Sequence, residues 1–236
     1  MRIVGALILV LALCSASAQA GINGSIDLFP YGIDPSTGNR TTPDFGACQA
    51  TVSSLFGGLV GRLSFGVYAR LGGATLAGFS GAELYLRGLE TGAPGQLPSG
   101  WTKSITFPPG TLDVGALSDP HMVGAESRRR WNLVWSVGGM NDPDCQRDPL
   151  VLLAIVDLTS SVGFATNFAN NHYLTVTGGE PPGNFSFACP LVTLCDFPSY
   201  TMLCMSGGQL IINPAGLSCT VAVNQATWSR VKGLYR

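Results

Sequence analysis

His121 and His172 are the only imidazoles in the chain, so serine-based acyl transfer would have to take its general base from one of them. His121 follows Asp119-Pro120 in a proline turn, and His172 heads a strand pattern after Asn170-Asn171. No G-x-S-x-G element leads into a helical pattern. With many serines to choose from, a triad on either histidine rests on no spacing, and both read as exposed loop or strand-edge residues. Glycoside hydrolysis needs two facing carboxyl groups. Of Glu83, Glu90, Glu126 and Glu180, only Glu83 is presented from the polar side of a strand. Aromatic platforms for such a groove are few: Trp101, Trp131 and Trp135 are the candidates. Trp131 and Trp135 share a strand face, which is the placement of core residues.

Two further groups bear on ligands. Asn141-Asp142-Pro143-Asp144 with Asp148 gathers oxygen side chains in one loop, the donor type that calcium prefers. Asp34-x-Ser36 with Asn39 is a weaker echo of it. Asp-Pro pairs also start ordinary turns, so the loop reads first as a turn; calcium is the one metal weighed further, and no cofactor is implied. Arg128-Arg129-Arg130 is the densest charge run, suited to a phosphate or to a sulfated or carboxylated glycan. It reads as a solvated rim ahead of the inward-anchored Trp131.

The compartment follows from the N-terminus and the cysteines. Arg2, the apolar run Ile3 to Leu13 and the small-residue triplet Ala18-Gln19-Ala20 have the form of a signal peptide cleaved after Ala20. Leu11-Ala12-Leu13 before Cys14 places a bulky residue where a lipid-attachment motif needs a small one. The mature chain keeps Cys48, Cys145, Cys189, Cys195, Cys204 and Cys219, an even set that in an exported protein predicts disulfides. A hairpin around Pro198-Ser199 would set Cys195 opposite Cys204, at about 4.5 Å between Cα atoms. Six cysteines allow fifteen connectivities; with that pair set, Cys189 with Cys219 would tie the end of the domain and Cys48 with Cys145 would cross-link its distant parts. The four late cysteines lack the close pairs that structural zinc requires.

Charged residues are 11% of the chain, against about 25% in an average globular protein, and the formal net charge is −1. Neither figure fits a nucleic-acid binder, which shows a marked basic excess. No run after the signal approaches the ~20 apolar residues of a membrane-spanning helix. Sequons stand at Asn23, Asn39 and Asn184 and matter only in a host that glycosylates them.

The elements that would position these residues are strands. From Arg62 to Leu71, Leu63, Phe65, Val67, Ala69 and Leu71 alternate with Arg62, Ser64, Gly66, Tyr68 and Arg70. Ala82, Leu84 and Leu86 alternate with Glu83 and Tyr85 in the same way. Further strands are expected at 101–107, 111–117, 131–137, 172–177, 191–195, 201–205 and 209–212, with 220–223 as an addition. Val151 to Val156 is unbroken apolar sequence and predicts a central strand buried on both faces. The Gly-Gly pairs at 57–58, 72–73, 138–139, 178–179 and 207–208 read as strand terminators. The expected organisation is a signal peptide (1–20), an extended N-terminal lead with at most one short strand near Ser25 to Phe29 (21–46), a β domain (47–223) and a short helix or tail (224–236). In the last, Trp228, Val231 and Tyr235 share a helical face. The fold class is therefore all-β: a disulfide-braced antiparallel β-sandwich with a short C-terminal helix.

Phe65-Gly66-Val67-Tyr68-Ala69 followed by Gly81-Ala82-Glu83-Leu84-Tyr85-Leu86 resembles cohesin-type and related immunoglobulin-like sandwiches. With Cys189-Pro190, the cysteine-rich strands and the ending from Thr227-Trp228-Ser229 to Leu234-Tyr235-Arg236, the mature chain is also similar to exported bacterial β-sandwich proteins. The resemblance implies the fold and no catalytic motif. Cohesins lack this cysteine set, so dockerin binding does not carry over. The function expected is a non-enzymatic binding or structural module, secreted or envelope-associated, whose partner is a glycan or a cell-surface protein met through loops at one end. An extracellular hydrolase with a non-motif active site is the alternative.

Overall fold

The computed structural model describes residues 23–54, 61–73, 75, 78–89, 97–114, 121–123, 126–128, 130–135, 142–160, 168, 171–178, 189–196 and 198–216. The expected signal peptide, the 220–223 strand, the C-terminal helix and Cys219 lie outside them. The first strands are β1 (Gly24–Ile33), β2 (Arg40–Pro43), β3 (Gln49–Ala50), β4 (Ser53–Ser54), β5 (Gly61–Leu71) and β6 (Phe79–Arg87). Next come β7 (Trp101–Thr106), β8 (Leu112–Asp113), β9 (His121–Val123), β10 (Glu126–Arg128), β11 (Arg130–Val134) and β12 (Leu150–Ser160). The chain continues with β13 (His172–Thr177), β14 (Leu191–Leu194), β15 (Met202–Cys204), β16 (Ser206–Gly207) and β17 (Gln209–Ile212).

These strands form two large sheets and a small β9–β10 hairpin. The first sheet runs β16-β1-β5-β12-β7, with β2 beside β1 and β4 beside β5. The second runs β15-β14-β6-β13-β17-β3, with β11 beside β6 and β8 beside β11. Pairing is antiparallel except for β1 with β16 and β17 with β3. Ile26, Phe65, Val67, Leu153 and Val156 of the first sheet share one apolar cluster with Leu84, Leu133, Leu174, Leu210 and Ile212 of the second. Each such buried side chain contributes about 1.5–3 kcal/mol through removal from water.

Alternation delivers this core. The apolar residues named for β5 and β6 are all buried, as the period-two pattern predicts. Trp131 is 2% exposed and meets Phe107 edge-on, while Trp135 meets Phe79 in the same manner. Both belong to the core and its margin, as their shared face implies.

Several expectations are corrected. The short strand expected near Ser25 to Phe29 is β1, longer at ten residues and paired with β5 from Gly24↔Leu71 to Pro30↔Phe65. The Asp34 to Asn39 punctuation after it is the turn of the β1–β2 hairpin: the Asp34 carboxylate accepts bonds from the Ser36 amide and hydroxyl. The apolar run at 151–156 extends to Leu150–Ser160 and is buried on one face only. A register irregularity between Leu152 and Ala154 lets the consecutive Leu153 and Ala154 both be buried, so that Val151 and Leu153 before it and Val156 and Leu158 after it all enter the core, while Leu152 and Ile155 stay half-buried outside.

The Gly207-Gly208 pair joins two sheets where the sequence pattern predicts a terminator. The Gly208 amide donates to the Ile26 carbonyl of the first sheet, and its own carbonyl accepts from the Val176 amide of the second. A Cβ on Gly207 would stand 2.0 Å from the Val176 carbonyl oxygen, and one on Gly208 would stand 2.8 Å from Asp27 Cα. Only glycines let the chain pass so close to both.

The disulfide pairing also differs from expectation. Cys145 bonds Cys195, Cys189 bonds Cys204, and Cys48 is disulfide-bonded as well. All three predicted pairs are thereby overturned, since Cys145, Cys189, Cys195 and Cys204 are taken by other partners. The hairpin at 191–204 does form, but it closes two residues earlier than expected. Leu191, not Cys195, stands across from Cys204. Asp196 sets that closure by accepting bonds from the Thr201 amide and hydroxyl.

Candidate functional site

Residues that alternate away from the core on β1 and β5 meet on the outer face of the first sheet. Asp27 stands opposite Tyr68, and Phe29 opposite Gly66. Gly66 carries no side chain, and the Tyr68 ring fills the space: a Cβ there would lie 2.3 Å from Tyr68 Cε2. The ring is thereby brought to 5.8 Å from Phe29. Phe45, arriving from beyond β2, meets both rings edge-on, at 5.3 Å from Phe29 and 5.2 Å from Tyr68. It remains 42% exposed. The Tyr31 and Tyr68 hydroxyls are 2.9 Å apart. Burial, then the neighbouring Tyr31 hydroxyl, push the Tyr68 phenol well above its ordinary range, so it stays protonated and serves as a hydrogen-bonding group.

Charge borders these rings. Asp157 of β12 receives Arg62 Nη2 at 2.9 Å and Arg40 Nη1 at 3.0 Å. Arg62 also donates to the Gly38 carbonyl, which ties the β1–β2 turn down onto β5. At the other end, the Arg70 guanidinium lies 5.5 Å from the Phe29 ring centre, with its Nε 3.4 Å from Asp27 Oδ2. Burial raises the Asp27 carboxyl above its ordinary range, with the Ser25 hydrogen bond and the Arg70 charge acting against that rise. Leu150, Leu152 and Ile155 of β12 continue the face as half-buried apolar residues. Together these groups form an aromatic and cationic platform on a rigid sheet, able to stack a ring and to hydrogen-bond hydroxyl or acidic groups.

No protein-family model and no curated protein matches this chain.

The residues singled out in the sequence fall elsewhere. His172 is buried, not exposed: its Nε2 sits 2.9 Å from the Gly88 carbonyl and its ring meets Phe168 at 4.9 Å. Burial pushes its pKa down, with the Gly88 bond working in the opposite direction. His121 lies on β9. Glu83 is half-buried in the middle of the second sheet, between Asn132 and Leu191. Asp142 spends its carboxylate on the Asp144 amide, and its carbonyl accepts from Arg147. Among the described residues, no three His, Cys, Asp or Glu side chains gather as a metal site. Arg128 lies on β10 and Arg130 on β11. The Asn23 sequon is closed in this fold, since Asn23 is buried with its side-chain amide on the Cys204 carbonyl, whereas Asn39 is exposed in the hairpin turn.

The platform itself was half visible in the sequence. The outward set Arg62, Ser64, Gly66, Tyr68 and Arg70 is part of the β5 alternation, but Phe45 and Asp157 reach it only through the fold.

Proposed function

We propose that this chain is a non-enzymatic binding module acting outside the cytoplasm, an exported sandwich of the immunoglobulin or cohesin type that binds glycan. The reading moves the contact from loops at one end to the outer face of the first sheet. The observation that carries it is Phe45, two-fifths exposed and seated on Phe29 and Tyr68 within a ring of arginines, aspartates and tyrosine hydroxyls. Exposed aromatic rings on rigid strands offer stacking surface at little conformational cost, and flanking hydroxyl and guanidinium groups supply orientation. Disulfides support export, because they persist in oxidising compartments. No helix among the described residues is long and apolar enough to cross a membrane.

The test is a glycan array probed with the oxidised protein and with Phe45→Ala. Wild-type binding to a defined set of glycans, lost by the variant while its thermal unfolding is retained, is the expected result. Absence of binding to any glycan, or equal binding by both proteins, overturns the reading.

A further inference from the structure

The arginines of the platform are not equivalent. Arg40 and Arg62 converge on one carboxylate, Asp157, so their charge is largely committed to pinning the hairpin. Arg70 is differently placed. Among the described residues its one carboxylate partner is Asp27, met through Nε at 3.4 Å, longer than an ordinary charged hydrogen bond. Its terminal nitrogens have no hydrogen-bond partner among the described residues. The Arg70 side chain is about one-third exposed, and its guanidinium carbon lies over the Phe29 ring, 5.5 Å from the ring centre. Phe45 stands on the same Phe29 ring. One aromatic side chain therefore neighbours both a cation and an exposed apolar ring.

We infer that the ligand is an acidic glycan, with a sugar ring resting on Phe45 and the planar carboxylate of a uronic acid received by the terminal nitrogens of Arg70. The inference rests on the glycan-binding reading above and specifies its chemistry. A guanidinium fork matches a carboxylate in two parallel hydrogen bonds, and a fork already resting over an aromatic ring has less freedom to lose on binding. Charge complementarity supports an anionic ligand: three arginines face two aspartates here, in a chain whose overall balance is slightly acidic. The paired Tyr31 and Tyr68 hydroxyls, on the neighbouring part of the face, suit sugar hydroxyls better than a peptide backbone.

Calorimetry with oligogalacturonate and with its methyl ester, which share one backbone, tests this directly. The acid should bind about tenfold or more tightly than the ester, the factor expected of one charge-assisted pair. Arg70→Gln should abolish that preference, bringing acid and ester to the same affinity, and Arg70→Lys should restore it in part. Phe45→Ala should weaken both ligands. Equal binding of acid and ester by the wild type overturns the acidic subsite and leaves glycan binding standing; binding of neither overturns both. Dextran sulfate or polyglutamate bound as tightly as the uronide, with the same loss in Arg70→Gln, shows an unselective anion site and overturns the assignment. Thermal unfolding of each variant separates loss of fold from loss of ligand.

Discussion

Cys145 Sγ occupies the space that a side chain on Gly78 would need: a Cβ built there stands 2.5 Å from the sulfur. Gly78 also has φ +104°, a conformation that side chains with a Cβ rarely adopt. The two facts have one origin. Phe79 pairs with Gln146 on one side and Leu194 on the other, so the chain segments carrying Cys145 and Cys195 flank the start of β6. One residue further on, the Cys195 amide donates to the Gly78 carbonyl, and the disulfide closes over the glycine. Three segments remote in sequence are clamped at one point.

This clamp encloses a sequence separation of 50 residues, against 15 for Cys189–Cys204. In the chain-entropy model the first contributes about 4 kcal/mol and the second about 3 kcal/mol. Denaturant unfolding should therefore find Cys145→Ser/Cys195→Ser less stable than Cys189→Ser/Cys204→Ser. Non-reducing peptide mapping should recover both bridges. A Cys195–Cys204 peptide would contradict the hairpin register.

The sheet crossing at Gly207 predicts a contrast between glycines. A Cβ on Gly207 meets backbone, the Val176 carbonyl, which cannot move without parting the sheets, whereas a Cβ on Gly73 meets nothing within 4 Å. Gly207→Ala should cost about 3 kcal/mol, as an overpacked core site does. Gly73→Ala should be close to neutral. Thermal melts of the two variants side by side check the difference, and similar melting temperatures would refute the crossing.

His172 links stability to pH. Its folded pKa lies below the ordinary value of about 6.5, so the unfolded chain binds the proton more readily. Its contribution is complete above that pH and is lost progressively as pH falls from about 6.5 toward the folded pKa. Asp34 and Asp196, whose carboxyls are lowered by hydrogen bonds, act only in the carboxylate range below this window, with stability lost as they protonate. Asp27 is raised by burial, and it opposes them: its contribution is full at low pH and is lost as pH rises through its folded pKa. His172→Gln should remove the slope in unfolding free energy between about pH 6.5 and 5, as read by denaturant titration. An unchanged slope would place the coupling elsewhere.

Much of the fold was legible because alternation is a local property of the pleat. Leu63 to Leu71 and Ala82 to Leu86 display their buried faces residue by residue, and β13 and β17 begin and end where the pattern predicts. Only the Ser25 to Phe29 part of β1 was legible; its continuation to Ile33 runs through Pro30, which sits within the strand yet pairs with Phe65. β2, β3 and β16 are too short to show a period. β13 and β14 lie along the same edge of β6, Thr177 beside Tyr85 and Leu191 beside Glu83, a continuity that the intervening sequence conceals.

By itself, then, the amino-acid sequence determined the β class, the inward face of each long strand and the presence of cystine bridges. Local stereochemistry and the export-type cysteine complement suffice for these. Cysteine partners, sheet membership and the platform of Phe45, Tyr68 and Arg70 were decided only by tertiary structure. Each depends on which distant segments meet and in what register, and that is a balance of packing over the whole chain rather than a property of any stretch of it.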